Sequence, residues 1–340
     1  DRGVLDERFS GRLLRVPRAV RRPRSGANGE VVLVMGMPGA GKSSVAKEFE
    51  SRGFERLNRD ARGGTLSGLV DELDVGLSAG RTRWVLDNTY PSRKSRNEVI
   101  ECAWKHGVPV RCLHLTTSVA DAQINAITRL INVHGRLPMP EELRARGKDD
   151  PRYFGPDAQF QYERAAEPPT EDEGFTSVES RPFLRVAGPD ATARSVMLEY
   201  DDVLCVGSPL GAKDVVLADG VRETFHQLHA SGWLLFAHAW RPQIARGDVT
   251  TLAVEACFAR TRELLGVAVH LAFCPHDAGP PICWCRKPLP GLIIEFVLPR
   301  NVVLERSLYV GRSAADRTLS QRLGLEYCDS LARLKEIVQG

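Results

Sequence analysis

The chain lacks any apolar run near the roughly 20 residues a membrane-spanning helix needs, and its first residues hold no apolar signal core. Membrane anchoring and export are therefore not expected, and the reading is of a cytoplasmic protein. Net charge is nearly absent, at +3 over 340 residues, too little to argue for nucleic acid by itself. Aromatics are sparse at 7%, while 43% hydrophobic and 26% charged residues are ordinary for a globular chain. The length suits two domains of usual size. A secreted disulfide framework is also missing. Cys102, Cys112, Cys205, Cys257 and Cys328 lie scattered, mostly among apolar residues, and read as reduced core positions. The other three cysteines crowd into residues 274–285 with a His, which is metal spacing.

The small net charge is unevenly placed. Residues 1–29 hold eight Arg against Asp1, Asp6 and Glu7, a net of +5, which leaves the remainder near neutral at −2. Such a basic arm can track phosphates or can be a solvated tail.

After the arm, Glu30-Val-Val-Leu-Val-Met35 reads as a buried parallel strand. Gly36-Met-Pro-Gly-Ala-Gly-Lys-Ser43 follows, then a helix over about 43–51 with Val45, Ala46 and Phe49 on one face. This is a phosphate-binding loop in its proper setting between strand and helix. Gly36, Gly39, Ala40 and Gly41 let the backbone wrap phosphate oxygens, and the amides of residues 39 to 44, Ser44 included, point inward. Lys42 neutralises the outer phosphates of ATP and Ser43 can ligate magnesium. Strands are expected at 83–87 and 110–115 with a helix at 93–106 between them, so strands alternate with helices in a doubly wound parallel sheet.

Two segments turn a binding loop toward transfer. Asp60, in Leu57-Asn-Arg-Asp60, can accept a proton from an attacking hydroxyl, or cap a helix. Asp87, ending the expected 83–87 strand in Trp84-Val-Leu-Asp-Asn-Thr89, falls near the loop's magnesium, or is a turn residue. Residues 134–174 are polar and rich in Pro and charge, and read as a lid that closes the first domain. A boundary fits 187–191, and a second series begins at Ser195, with further strands at 233–237 and 307–310.

Residues 31–180 resemble the kinase domain of polynucleotide 5′-hydroxyl kinases, phage and animal types alike. The resemblance rests on the loop, Asn58-Arg-Asp60, Asp87-Asn-Thr89 before an Arg-rich helix, Asn125 with Arg129, and Glu167-Pro-Pro-Thr-Glu-Asp-Glu-Gly-Phe175. It implies that Asp60 is the general base, that Asp87 helps hold the substrate end, and that Arg129, or in second place Arg136, is the lid Arg on the transferring phosphate. The phage type has a further Arg where this chain has Gly63, with Arg62 adjacent. Arg93, Lys94, Arg96 and the arm would supply a basic entrance for nucleic-acid 5′ ends, or be ordinary solvated charge.

Residues 195–340 resemble the zinc-loop branch of haloacid-dehalogenase (HAD) phosphatases, the histidinol-phosphate and heptose-bisphosphate phosphatases. The carriers are Gln243-Ile-Ala-Arg-Gly247, Cys274-Pro-His276, Cys283-Trp-Cys-Arg-Lys-Pro288 and Tyr309-Val-Gly-Arg-Ser-Ala-Ala-Asp316. Cys274, His276, Cys283 and Cys285 offer one N and three S donors, a closed tetrahedral set for structural zinc. The superfamily's catalytic positions have decayed. Glu199 stands where the Asp nucleophile belongs, and an oxygen misplaced by about 1 Å costs about 100-fold. The Ser or Thr after the second strand is Ala239, or His238 in a slipped register, and the magnesium-binding Asp is Arg312. Only Asp201, Lys287 and Asp316 match.

The expectation is an α/β chain of two domains, a P-loop kinase sheet over 30–185 and a HAD-like Rossmannoid pseudophosphatase over 195–340. The expected activity is ATP-dependent phosphorylation of DNA or RNA 5′-hydroxyl ends, with ATP, magnesium and structural zinc. Arg312 and Lys287 can still hold a phosphate, or the second domain can offer a protein partner a surface. The rivals are a kinase of a small hydroxylated metabolite and a noncatalytic ATP-binding end or assembly protein.

Overall fold

The structure is a computed structural model that describes residues 29–185, 191–280 and 282–339. The basic arm and most of the 187–191 boundary lie outside the described residues. Contacts divide the chain into two compact units. The first comprises Asp1–Met37, Gly41–Thr117 and Tyr162–Pro182, and the second comprises Pro38–Ala40, Ser118–Gln161 and Phe183–Gly340.

The first unit is built on a parallel sheet of β1 (Glu30–Met35), β2 (Glu55–Leu57), β3 (Arg83–Asp87), β4 (Val110–Leu115) and β5 (Ser177–Arg181), in the order β2-β3-β1-β4-β5. β1 is central and buried from Val31 to Met35, which explains its unbroken apolar run. Val45, Ala46 and Phe49 of helix Lys42–Glu50 are buried, as the spacing requires. Leu69, Leu73 and Leu77 of helix Leu66–Ser78 join Val99, Ile100 and Trp84 in a core over this sheet.

The second unit carries another parallel sheet, β6 (Ser195–Glu199), β7 (Leu234–Trp240), β8 (His270–Cys274), β9 (Leu308–Val310) and β10 (Glu326–Cys328), ordered β10-β9-β6-β7-β8. Its strands alternate faces with period two. Val196, Leu198, Leu235 and Ala237 enter one core with Phe225 and Phe258, while Met197, Phe236 and Tyr309 enter the other. That other core also takes Ile124, Ile127, Leu130 and Ile131 of helix Val119–His134, together with Leu292 and Ile293 of helix Gly291–Val297. A division by contact therefore falls differently from one drawn along the chain: 118–161 counts with the second sheet, because this helix buries its apolar face there. No helix among the described residues is long and apolar enough to cross a membrane.

Candidate functional site

In the first unit, β1 delivers the chain to Gly36, and Lys42 opens the following helix. The Lys42 Nζ donates to the carbonyls of Gly36 (2.8 Å) and Met37 (2.9 Å). Ser43 and Ser44 stand exposed in the helix's first turn. The middle of the loop is held within the second unit. Gln159 Nε2 donates to Pro38 O (2.8 Å) and Asn125 Nδ2 to Gly39 O (3.0 Å). A planar trans peptide then turns the N–H groups of Gly39 and Ala40 away from those side chains. Gly39 is in the left-handed region at φ 88°, and a Cβ there would lie 2.4 Å from Ala122 O, so only glycine fits.

Asp60 lies in the first turn of the short helix Arg59–Arg62, which Asn58 caps through Ala61 N (3.0 Å). Its carboxylate is 44% exposed, with Arg59 Nη2 at 3.7 Å. Asn58 also donates to Asp87 O (2.5 Å), and Asn88 Oδ1 accepts from Arg59 N (2.9 Å). These bonds tie the Asp60 helix to the end of β3. Asp87 itself is buried, and Arg56 grips both its oxygens, Nε at 2.8 Å and Nη2 at 2.6 Å. The Asp87 carboxylate is thus engaged by a neighbouring strand rather than presented to a substrate, and the half-buried guanidinium of Arg56 is the part that can be reached. Sequence reasoning passed over Arg56, which sits in a strand of only three residues.

The basic entrance needs correction at Arg96. This side chain is fully buried, bonds Glu173 through Nε and Nη2 (both 2.7 Å), and caps the carbonyls of Tyr90 and Glu167. It is an internal strut because position 96 falls on the buried face of its helix, with Val99 and Ile100. Arg93 is exposed but faces Asp172 (3.3 Å) and Thr170 (3.0 Å), and Lys94 is exposed. Arg62 pairs with Glu72 (2.9 Å).

Arg129 and Arg136 belong to the second unit. Arg129 lies over the Phe154 ring, 5.3 Å from its centroid, and Nη2 donates to Arg152 O (2.6 Å). Arg136 makes a two-pronged pair with Glu142 (2.8 and 2.6 Å), which pulls the Glu142 carboxyl down to about 2.

At the strand ends of the second sheet, the partly buried Lys287 ammonium bridges Glu199 and Asp316, 2.6 Å from the latter. Burial pulls the Lys287 pKa down, and Asp316 opposes that pull. Asp316 Oδ2 also accepts from Arg312 N (3.1 Å), Ser313 N (2.9 Å) and Ser313 Oγ (2.7 Å). Tyr309 donates to Asp316 Oδ1 (3.0 Å), so its oxygen accepts from His238 Nε2 (2.7 Å). Burial pushes the His238 pKa down to about 4. Ala239 is buried against the opposite core, and the Arg312 side chain is exposed. Asp201 is clamped by the buried Arg241, with Nη1 at 2.6 Å and Nη2 at 2.7 Å. No sequence signal marked Arg241.

Cys274, His276, Cys283 and Cys285 converge, with donor atoms all within 4.8 Å of one another. Neighbouring donors lie 3.2 to 3.8 Å apart. A tetrahedral ion with metal–S near 2.3 Å and metal–N near 2.0–2.1 Å calls for separations of about 3.5–3.8 Å, so the cluster could hold a metal ion. Trp240 Nε1 on His276 O (2.7 Å) and Arg286 on Asp277 O (2.6 Å) and Gly279 O (2.7 Å) support the loop.

A phosphate loop between the first strand and helix of one parallel sheet, and a Lys–carboxylate network at the strand ends of a second, define the class: a kinase-type P-loop domain fused to a HAD-like domain. Comparison agrees. A family model described as an AAA domain matches residues 31–129. The bifunctional polynucleotide phosphatase/kinase of Schizosaccharomyces pombe is 32% identical over 158 residues, covering 45% of this chain but 34% of that protein, so the chain spans about a third of this relative's length. The D-glycero-beta-D-manno-heptose-1,7-bisphosphate 7-phosphatase of Pseudomonas putida is 32% identical over 140 residues, covering 38% of this chain and 78% of the relative. The solved D,D-heptose 1.7-bisphosphate phosphatase from B. bronchiseptica, complexed with magnesium and phosphate, aligns with a TM-score of 0.38 at 21% identity, over 44% of this chain and 99% of that one. The chain belongs to the heptose-bisphosphate phosphatase family, joined here to a kinase-type P-loop domain.

Proposed function

We propose that the chain is an ATP-dependent 5′-hydroxyl kinase of DNA or RNA ends whose HAD-like unit does not hydrolyse phosphate esters. The reading is carried by one observation: an anchored P-loop lysine occurs with an exposed carboxylate, Asp60, on a helix that Asn58 caps and ties to the end of β3. ATP would supply the phosphoryl group, with magnesium held at Ser43. Lys42 would swing from its loop carbonyls onto the outer phosphates, and Asp60 would take the proton of the attacking hydroxyl. Asp87 would act through Arg56, holding its guanidinium for the substrate end. Arg129 would neutralise charge on the moving phosphoryl group. Likeness to a polynucleotide phosphatase/kinase supports the acceptor class.

The inactivity of the second site is supported by three replacements, Glu199, Ala239 and Arg312, and by the Arg241 clamp on Asp201. The four thiol and imidazole donors suit zinc, with no open position for chemistry. The test incubates the protein with labelled ATP, magnesium and 5′-hydroxyl DNA and RNA oligonucleotides beside Lys42→Ala and Asp60→Asn. Transfer that both substitutions abolish is expected. ATP binding without transfer to any oligonucleotide would refute the kinase. Phosphate release from a 3′-phosphorylated oligonucleotide by wild type but not by Glu199→Gln would refute the inactive phosphatase.

A further inference from the structure

The metal loop and the middle of the phosphate loop, Pro38–Ala40, belong to one compact unit. Trp284 lies between the donors Cys283 and Cys285 and is 1% exposed. Its Nε1 donates to Phe154 O (3.2 Å), and the two rings meet edge to face at 6.1 Å. Phe154 is the ring beneath the Arg129 guanidinium, and Arg152, two residues earlier, supplies the carbonyl that Arg129 bonds. Arg129 shares helix Val119–His134 with Ala122 and Asn125, which pack against and bond Gly39 of the phosphate loop. Two further ties hold the segment just past the end of that helix from the metal side. Leu137 N donates to Glu295 Oε1 (2.7 Å), and Gly291 packs so closely that a Cβ would lie 2.5 Å from Trp284 O and 2.8 Å from Leu137 Cδ2.

We propose that the metal loop is a brace for phosphoryl transfer: through Trp284 and Phe154 it fixes the orientation of Arg129 and of the helix that holds the P-loop backbone at Gly39. Phe154 and Trp284 are then positioning residues. The HAD-like unit then has a task that needs no hydrolysis, because its metal site organises Arg129, a side chain of the same unit. The inference rests on the kinase reading for its consequence, and on packing alone for the brace. Geometry sets the upper bound of the effect: a charged group displaced by roughly a full 1 Å from its place in a transfer site costs about 100-fold, and a partly loosened one less. A ring that loses its edge-to-face partner gives Arg129 that freedom without removing any phosphate contact.

The test uses the full chain. Hydrogen exchange across 119–134 and 150–156 is measured with metal present, after chelation, and in Phe154→Leu, which keeps all four donors. Exchange should rise at least about tenfold in both segments on chelation and in Phe154→Leu, while the variant retains its metal. For 5′-hydroxyl oligonucleotide phosphorylation, Phe154→Leu should lower kcat about tenfold with KM for ATP within about twofold, and Phe154→Tyr should stay near wild type. Unchanged exchange over 119–134 after chelation overturns the brace, as does an unchanged kcat in Phe154→Leu. Should no acceptor be phosphorylated by wild type, the kinase reading fails, and the exchange experiment still decides the brace.

Discussion

The Asp87 carboxylate receives both its side-chain bonds from Arg56, at 2.8 and 2.6 Å, across neighbouring parallel strands. The acid is buried and the guanidinium is 21% exposed. The Asp87 charge raises the Arg56 pKa through this hydrogen bond, against the cost of burial. The pair is thus a presented cation on a buried anion, which is a means of holding an Arg rigid.

Arg56→Ala should lower the unfolding free energy by about 2–3 kcal/mol, because it strands a buried carboxylate. Full burial of both partners would cost more. Arg56→Lys should recover part of the loss, since an ammonium cannot make the two-pronged bond. Urea unfolding of the three proteins checks this, and an Arg56→Ala loss below about 0.5 kcal/mol would contradict the pairing.

Arg93 and Arg96 should part company. Arg96→Ala leaves Glu173, whose side chain is 2% exposed, without its two-pronged partner. It should cost about 3–5 kcal/mol of stability. Arg93 is 54% exposed, its closer ion pair with Asp172 (3.3 Å) is a surface pair and its contact with Glu173 is long at 3.9 Å, so Arg93→Ala should cost less than about 1 kcal/mol. Arg93→Ala should instead weaken oligonucleotide binding at low salt. Equal stability for the two variants would undo the assignment of Arg96 as a strut.

The sequence carried some of this plainly and hid the rest. Buried parallel strands are continuous apolar runs, so β1, β3 and β6 could be located within a residue or so, and the P-loop announced its own setting. Closely spaced donors marked the metal cluster for the same reason, that the information was local. Arg96 looked like an entrance charge because its partner Glu173 stands 77 residues away. The Arg241 clamp spans 40 residues, and the three residues of β2 give no period to read. Helix Val119–His134 was not read from the sequence as an element, and no pattern within a helix names the sheet it will cover.

His238 sets a pH dependence. Its folded pKa is about 4 and its unfolded value about 6.5, so between these the unfolded chain binds a proton that the folded chain refuses. Stability is fully present above pH 6.5 and should fall by about 3 kcal/mol as pH drops toward 4. Desolvation depresses the half-buried His114 in the same direction, and desolvation with the nearby Arg300 and Arg262 charges depresses His270. Asp316 lies below its ordinary value because Lys287 and Ser313 outweigh burial, so its contribution is lost only at lower pH, under about 4. Urea unfolding at pH 7, 6, 5 and 4.5 should show the decline, and His238→Gln should flatten most of it.

On the proposed reading of an inactive second site, the Arg241 clamp should make that site resist simple repair. Glu199→Asp, Ala239→Thr and Arg312→Asp together would restore the three residue types that the HAD pattern calls for. Asp201 would still have both oxygens engaged as acceptors, at 2.6 and 2.7 Å from Arg241, with neither placed to give a proton to a leaving group. General acid catalysis contributes about 10²–10⁴-fold. Adding Arg241→Gln, which keeps a hydrogen-bonding group beside Asp201 but removes the fork, should therefore raise phosphate release by about 100-fold over the triple variant. The cost should be lower stability, because Arg241 is buried. Release of inorganic phosphate from a 3′-phosphorylated oligonucleotide and from a sugar bisphosphate, both in magnesium, measures the difference. A triple variant already as active as the quadruple would mean that Arg241 does not restrain Asp201.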